Sequence, residues 1–188
     1  MITFWHVLTW LTLLVMPFMT LGYALEQEGS TGTVVKVLPA RGSFGEGAQI
    51  QVEIRIVDVQ ELYGADVRLA FDPALLQVID ADPNTPGTQI TPRSDLLSPD
   101  FVIKNEADNQ AGTVWYAVTQ LNPTPPASGT GALFSLVFTV VGDGTAVVSL
   151  EQQLATRMGE IIPAEGRGAT YQLVESTIIY LPIVMKDP

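Results

Sequence analysis

The sequence predicts an all-β fold, an antiparallel β-sandwich, from three observations. Apolar and polar residues alternate with a period of two in one segment after another, the pattern of strands with one face in a core. Clusters of Gly, Pro, Asn and Asp separate these segments at intervals of about 8 to 15 residues. Beyond residue 24, no stretch carries a helical period for longer than a single turn.

Residues 33–38 are a β-rich run that stops at Pro39, and Gly42, Gly45 and Gly47 mark a turn region. In 50–59, Ile50, Val52, Ile54 and Ile56 alternate with Gln51, Glu53 and Arg55, the cleanest strand of the chain. Residues 62–79 supply a strand, a corner and a second strand. Ala65, Val67, Leu69 and Phe71 alternate with Asp66, Arg68 and Ala70. Asp72-Pro73 then suits one helical turn through Ala74 and Leu75, because Asp caps exposed amides and Pro fits the first helical position. Leu76, Val78 and Ile79 resume extended structure.

Residues 80–100, rich in Pro, Asp, Thr and Ser, read as a long loop, and 101–104 as a short strand. In 113–119, Val114, Tyr116 and Val118 fall on one side and Thr113, Trp115, Ala117 and Thr119 on the other. A Pro/Gly loop over 122–131 precedes an apolar strand at 132–141, with Phe134, Leu136, Phe138 and Val140 toward the core. The turn at 142–144 leads into a strand at 146–150. A loop at 156–162 and a glycine-bearing turn at 165–168 precede the last strand, 170–174. The total is about nine short strands, without internal repeats.

The two ends differ from this body. Residues 1–24 contain no Lys, Arg, Asp or Glu, and end in Gly22-Tyr23-Ala24, a small-x-small cleavage pattern. They read as a secretory signal peptide, with an uncleaved N-terminal membrane anchor as the rival reading. A linker at 25–32 and the sandwich at 33–175 follow, and a short hydrophobic tail at 176–188 closes the chain. The apolar part of the tail, 178–185, is broken by Pro182 and is too short to span a bilayer. It reads either as a terminal strand or as a sorting tag.

Composition excludes several functions. The net charge of −11 opposes nucleic acid and anionic lipid, whose phosphates require Lys and Arg. The chain has no Cys, and its one His, His6, lies in the leader. The exported part therefore cannot assemble a Ser-His-Asp or Cys-His nucleophile, and a zinc site lacks its usual ligands. Asp80-x-Asp82-x-Asn84 imitates the start of a calcium loop, but Pro83 and Pro86 interrupt it and Thr91 stands where the bidentate Glu belongs. Neither an enzyme nor a metal or other cofactor is expected.

What is left is surface. With Val114, Tyr116 and Val118 inward, Trp115 faces out among small side chains, a natural anchor for a partner. Asp66 and Arg68 share one outer face, where a cross-strand salt bridge is the ordinary expectation.

The segments also resemble a known family. Tyr63-Gly64-Ala65-Asp66-Val67, continued by Leu69, Phe71-Asp72-Pro73, Leu75-Leu76 and Val78, resembles the third and fourth strands of cohesin domains. Gly112 to Tyr116 is similar to their sixth strand, and Ala132 to Val140 to their seventh. Met158-Gly159-Glu160-Ile161-Ile162-Pro163 is similar to the turn before their last strand. The resemblance implies a nine-stranded jelly roll.

Its implied role is non-covalent binding of dockerin modules, mounting carbohydrate-active enzymes on a scaffold or surface for polysaccharide degradation. The partner's helices would lie on the sheet of strands eight, three, six and five. Asp66 would accept hydrogen bonds, Arg68 would orient the partner and Trp115 would anchor it. Ala70, Ala117, Thr119, Gln120 and Met158 would complete the surface. Calcium would reside in the dockerin. The protein is expected to be secreted or attached to the cell surface, and monomeric alone. Two other classes stay open: direct polysaccharide binding, which Tyr63 and Tyr116 disfavour by pointing away from the outward face, and a structural envelope or adhesion domain.

Overall fold

The computed structural model describes residues 32–175, so the expected leader, nearly all of the linker and the 176–188 tail lie outside the described residues. Thirteen strands occupy this span, with no helix among the described residues. In chain order they are β1 (Thr33–Leu38), β2 (Arg41–Gly45), β3 (Gln49–Leu62), β4 (Gly64–Ala70), β5 (Leu76–Val78), β6 (Thr91–Pro92) and β7 (Phe101–Asp108). Next come β8 (Thr113–Thr119), β9 (Ala127–Val140), β10 (Gly144–Ala155), β11 (Ile161–Ile162), β12 (Ala164–Arg167) and β13 (Ala169–Val174).

Two sheets face each other. One runs β12-β1-β3-β9-β5 with β6 added on β9, and the other β2-β13-β10-β4-β8-β7 with β11 added on β10. Period-two alternation sends Ile50, Val52, Ile54, Ile56, Phe134, Leu136 and Phe138 inward from the first sheet. Val67, Leu69, Val114, Tyr116, Val118, Val148 and Tyr171 meet them from the second. The Tyr116 and Phe134 rings pack across the sandwich with centroids 5.0 Å apart. Each fully buried large apolar side chain contributes about 1.5 to 3 kcal/mol, so this core stabilises the domain without a disulfide.

The Asp72 corner carries the chain from the second sheet into the first. Asp72 Oδ1 accepts the Ala74 amide at 2.9 Å and its carbonyl accepts the Leu76 amide at 3.0 Å, the single capped turn that Asp-Pro predicts. The Phe71 amide donates to the Gly112 carbonyl at 2.8 Å, which locks the end of β4 against the turn between β7 and β8. The strand carrying Asp66 and Arg68 is thereby held at both flanks and at its end.

The expected all-β sandwich is the fold found, with thirteen strands among the described residues where about nine were expected. Two pairings are parallel, β1 with β12 and β2 with β13. The expected turns at 42–47 and 165–168 are the edge strands β2 and β12. Neither carries a period-two apolar alternation, although Phe44 packs edge-on against Tyr171 and Ala164 against the core, so periodicity does not reveal them. Gly166 sits close to β10 rather than in a left-handed turn: a Cβ there would lie 2.8 Å from Gln152 Oε1 and 3.2 Å from the Leu150 carbonyl oxygen. The loops at 80–100, 122–131 and 156–162 likewise contain β6, the first turns of β9, and β11.

Candidate docking surface

On the outer face of the second sheet, strand register arranges side chains in cross-strand rows. One row reads Ser149–Ala70–Thr113, the next Glu151–Arg68–Trp115–Glu106, and the third Gln153–Asp66–Ala117–Lys104. Because β4 and β8 pair antiparallel without a bulge, outward residues of one stand directly beside those of the other. The small Ala70, Thr113 and Ser149 leave a depression of about 300 Å³ beside Arg68 and Trp115.

Trp115 organises this face. Its indole Nε1–H donates to Asp66 Oδ1 at 3.1 Å, and Arg68 Nε–H donates to the same oxygen at 3.3 Å. The Arg68 guanidinium lies 4.5 Å from the indole centre and the Lys104 ammonium 5.5 Å, so cations from β4 and β7 flank the ring. Lys104 is itself paired with Glu106. Trp115 keeps 38% of its surface exposed, and Asp66 Oδ2 has no hydrogen-bond donor among the described residues. The centre of the sheet thus offers a fixed aromatic plane, a free acceptor and the outer nitrogens of a half-exposed guanidinium.

At the sheet's end, Arg157 stacks 4.8 Å over the Tyr63 ring and donates to the Thr124 carbonyl, joining the loop after β10 to the loop after β8. Asp100 ties the same region together, accepting from Ser98, Thr124 and the Leu121 amide. These bonds, that from Ser98 first, hold its carboxyl below the ordinary range. Around Asp80–Asn84 the acidic groups serve the loop itself. Asp82 accepts from Thr85 and Asn84, the Thr85 hydroxyl being the larger cause of its lowered pKa. Among the described residues no group of three or more acidic or imidazole side chains is placed to hold a metal ion.

A family model for the cohesin domain matches residues 31–165. This chain belongs to the cohesin domain family. A search of curated protein sequences finds no match. Similar solved structures include a non-cellulosomal cohesin from the archaeon Archaeoglobus fulgidus, at 15% identity and TM-score 0.58, covering 76% of this chain and 91% of that one. A type II cohesin domain from the cellulosome of Acetivibrio cellulolyticus aligns at 15% identity and TM-score 0.61, covering 74% and 95%. A type I cohesin–dockerin complex from Clostridium thermocellum aligns at 11% identity and TM-score 0.58, covering 77% and 95%. At such identities the likeness is one of fold.

In this cohesin the residues selected from sequence fall into three groups. Asp66, Arg68, Ala70, Trp115 and Thr119 lie on one outer face, as their parity requires. Ala117 lies on that face, in the row between Asp66 and Lys104, but is only 5% exposed. Met158 projects from the loop beyond β10 and is largely exposed. Gln120 is a correction: one residue past β8 its side chain turns inward and is 4% exposed, with Oε1 unpaired. The Asp66–Arg68 pair is also not cross-strand but runs along β4 itself.

Sequence reasoning did not select Lys104, Glu106, Glu151 or Gln153. Their strands are recognisable, but register alone sets them beside Asp66 and Trp115, and nothing local encodes it.

Proposed function

We propose that this cohesin is a non-catalytic docking module whose β10-β4-β8-β7 face binds a dockerin domain. The observation that carries the reading is the Asp66–Trp115–Arg68 cluster, a pre-positioned acceptor, aromatic plane and guanidinium at the centre of one sheet of a cohesin fold. A rigid sheet lowers the ordering cost of association, and a central aromatic and Arg flanked by polar groups has the composition of a binding hot spot. Solved cohesins of similar fold include complexes with dockerins, which supports the choice of partner. The two outer charges, Lys104 and Glu151, and the loop tip at Met158 form the rim.

In this reading residues 1–24 export the protein, 33–175 form the docking domain, and the dockerin belongs to a carbohydrate-active enzyme working outside the cell. Calcium is supplied with the dockerin, and the cohesin is monomeric before binding. The decisive test is titration of Asp66→Ala/Trp115→Ala against dockerin modules encoded in the same genome, with thermal melting alongside. The expected result is loss of binding at nearly unchanged melting temperature. Binding equal to that of the unaltered chain rejects the site.

A further inference from the structure

The chain has 9 Lys and Arg residues, and three of them stand in one cross-strand row. On the first sheet, Arg167 of β12 lies opposite Lys36 of β1, and Lys36 opposite Arg55 of β3. The row is on the outer face, turned away from Asp66 and Trp115, because the residues that alternate with it, Val35, Val37, Ile54 and Ile56, fill the core. Two interstrand steps of about 4.8 Å make it a line of cations about 10 Å long, in a chain whose net charge is −11.

Like charges directly opposite one another destabilise a sheet. Each Arg is compensated by a glutamate two residues earlier on its own strand. Arg55 Nε–H donates to Glu53 Oε1 at 2.7 Å, and Arg167 Nε–H to Glu165 Oε1 at 2.8 Å. Lys36, in the middle, has no such partner. Its neighbours along β1 on this face are Val34 and Leu38, and no carboxylate among the described residues forms an ion pair with it. Three cations against two engaged carboxylates leave one positive charge in excess, held between two guanidiniums. The fold gains nothing from that charge, whereas an anion from outside would.

The adjoining rows indicate which anion. They read Leu38–Glu53–Ser135–Thr91, then Gln51–Val137 and Gln49–Thr139. The side chains of Gln49, Gln51, Ser135, Thr91 and Thr139 make no hydrogen bond among the described residues, so their amides and hydroxyls are open to a ligand. None of the large exposed apolar side chains stands in these rows, and none of their residues is aromatic. The face therefore lacks the apolar centre of a protein interface and the rings on which a neutral polysaccharide stacks. We propose that the outer face of β12, β1, β3 and β9 binds an acidic polysaccharide, one that carries a carboxylate on its repeating sugar. A carboxylate sits on Lys36 beside the Arg55 guanidinium, and sugar hydroxyls exchange hydrogen bonds with Ser135, Thr91 and Gln51. The acidic remainder of the chain does not forbid this, because exposed charges farther than about 8 Å are largely screened at physiological ionic strength. The face lies on the sheet opposite the docking surface, so the inference stands independently of the dockerin reading.

The test titrates the full chain with polygalacturonate, and with its methyl ester, dextran, polyglutamate and duplex DNA as comparisons. Lys36→Glu, Lys36→Gln and Asp66→Ala/Trp115→Ala are measured alongside, with melting temperatures for all. The native chain should bind polygalacturonate and neither the ester nor dextran. Binding should weaken as salt rises from about 0.01 M to about 1 M, over which the screening length falls from about 30 Å to about 3 Å. Lys36→Glu should lose about 10-fold or more in affinity, and the Asp66/Trp115 variant should bind as the native chain does. Lys36→Glu should also melt no earlier than the native chain, since it sets an opposite charge between the two arginines, whereas a cation kept for stability would melt earlier when replaced. Lys36→Gln covers the case in which Lys36→Glu does not fold, and should lose about 5-fold or more. No binding of polygalacturonate by the native chain at low salt, equal binding of the ester, or unaltered binding in the folded Lys36 variants overturns the proposal. Tighter binding of polyglutamate or DNA than of polygalacturonate assigns the row to an acidic protein or a nucleic acid and overturns it as well.

Discussion

The Trp115 indole N–H donates to Asp66 Oδ1 at 3.1 Å across two strands that lie 49 positions apart in sequence. The bond turns the largest exposed side chain of the β8 face into a fixed plane and leaves the second carboxylate oxygen available. Exposed ion pairs contribute only about 0 to 1 kcal/mol, so the arrangement is better suited to positioning than to stability.

Asp66→Ala should therefore cost less than about 1 kcal/mol in stability while releasing the indole. In a Trp5→Phe/Trp10→Phe background, where Trp115 is the sole fluorophore of its kind, its emission should shift to the red and become more accessible to iodide. An unchanged spectrum would show that Asp66 does not hold the ring.

The two buried tyrosines should respond oppositely to loss of the hydroxyl. Tyr116 OH is buried with no partner, whereas Tyr171 OH donates to the Pro39 carbonyl at 3.0 Å. Tyr116→Phe should leave stability unchanged or raise it by about 1 kcal/mol, and Tyr171→Phe should lower it by about 1 kcal/mol. Urea denaturation of both variants measures the difference, and the reverse order would contradict this account.

Alkaline pH should unfold the domain through the same residues. Burial pushes both phenols up to about 12 from an ordinary value of 10.0. A group whose folded pKa is raised stabilises fully below its unfolded pKa and loses that contribution as pH rises through the folded one. Stability should be level up to about pH 10 and fall between about pH 10 and 12, less steeply in Tyr116→Phe, as followed by circular dichroism.

On the acid side, Asp100 reports on the loop junction beside the docking face. Its carboxyl, held down by Ser98, Thr124 and the Leu121 amide, should titrate below the ordinary 3.8. The tie is complete above that value and loosens as pH falls through the lowered one. The Leu121 amide resonance should trace that titration, and Asp100→Asn should abolish the transition.

Gly112→Ala should destabilise the domain by more than about 2 kcal/mol, because strain and a clash act together. Gly112 has a φ of +68°, and a Cβ there would meet the Phe71 carbonyl oxygen at 2.2 Å. The Phe71 amide donates to the Gly112 carbonyl and so holds the end of β4, and thermal melting and hydrogen exchange of that amide should both register the change.

The sequence by itself determined the fold class, the Asp72 corner and the outward parity of Asp66, Arg68 and Trp115, because each is encoded within a few neighbouring residues. Alternation tells which face of a strand meets the core whatever that strand pairs with, and Asp-Pro closes its own turn. Only the tertiary structure decided what stands beside those residues. Register between β7, β8, β4 and β10 depends on distant turns and bulges, so the neighbours Lys104 and Glu151 have no local signature. Gln120 faces inward because the alternation of Val114, Tyr116 and Val118 continues one residue past the end of β8, where its amide donates to the Tyr63 carbonyl at 2.8 Å.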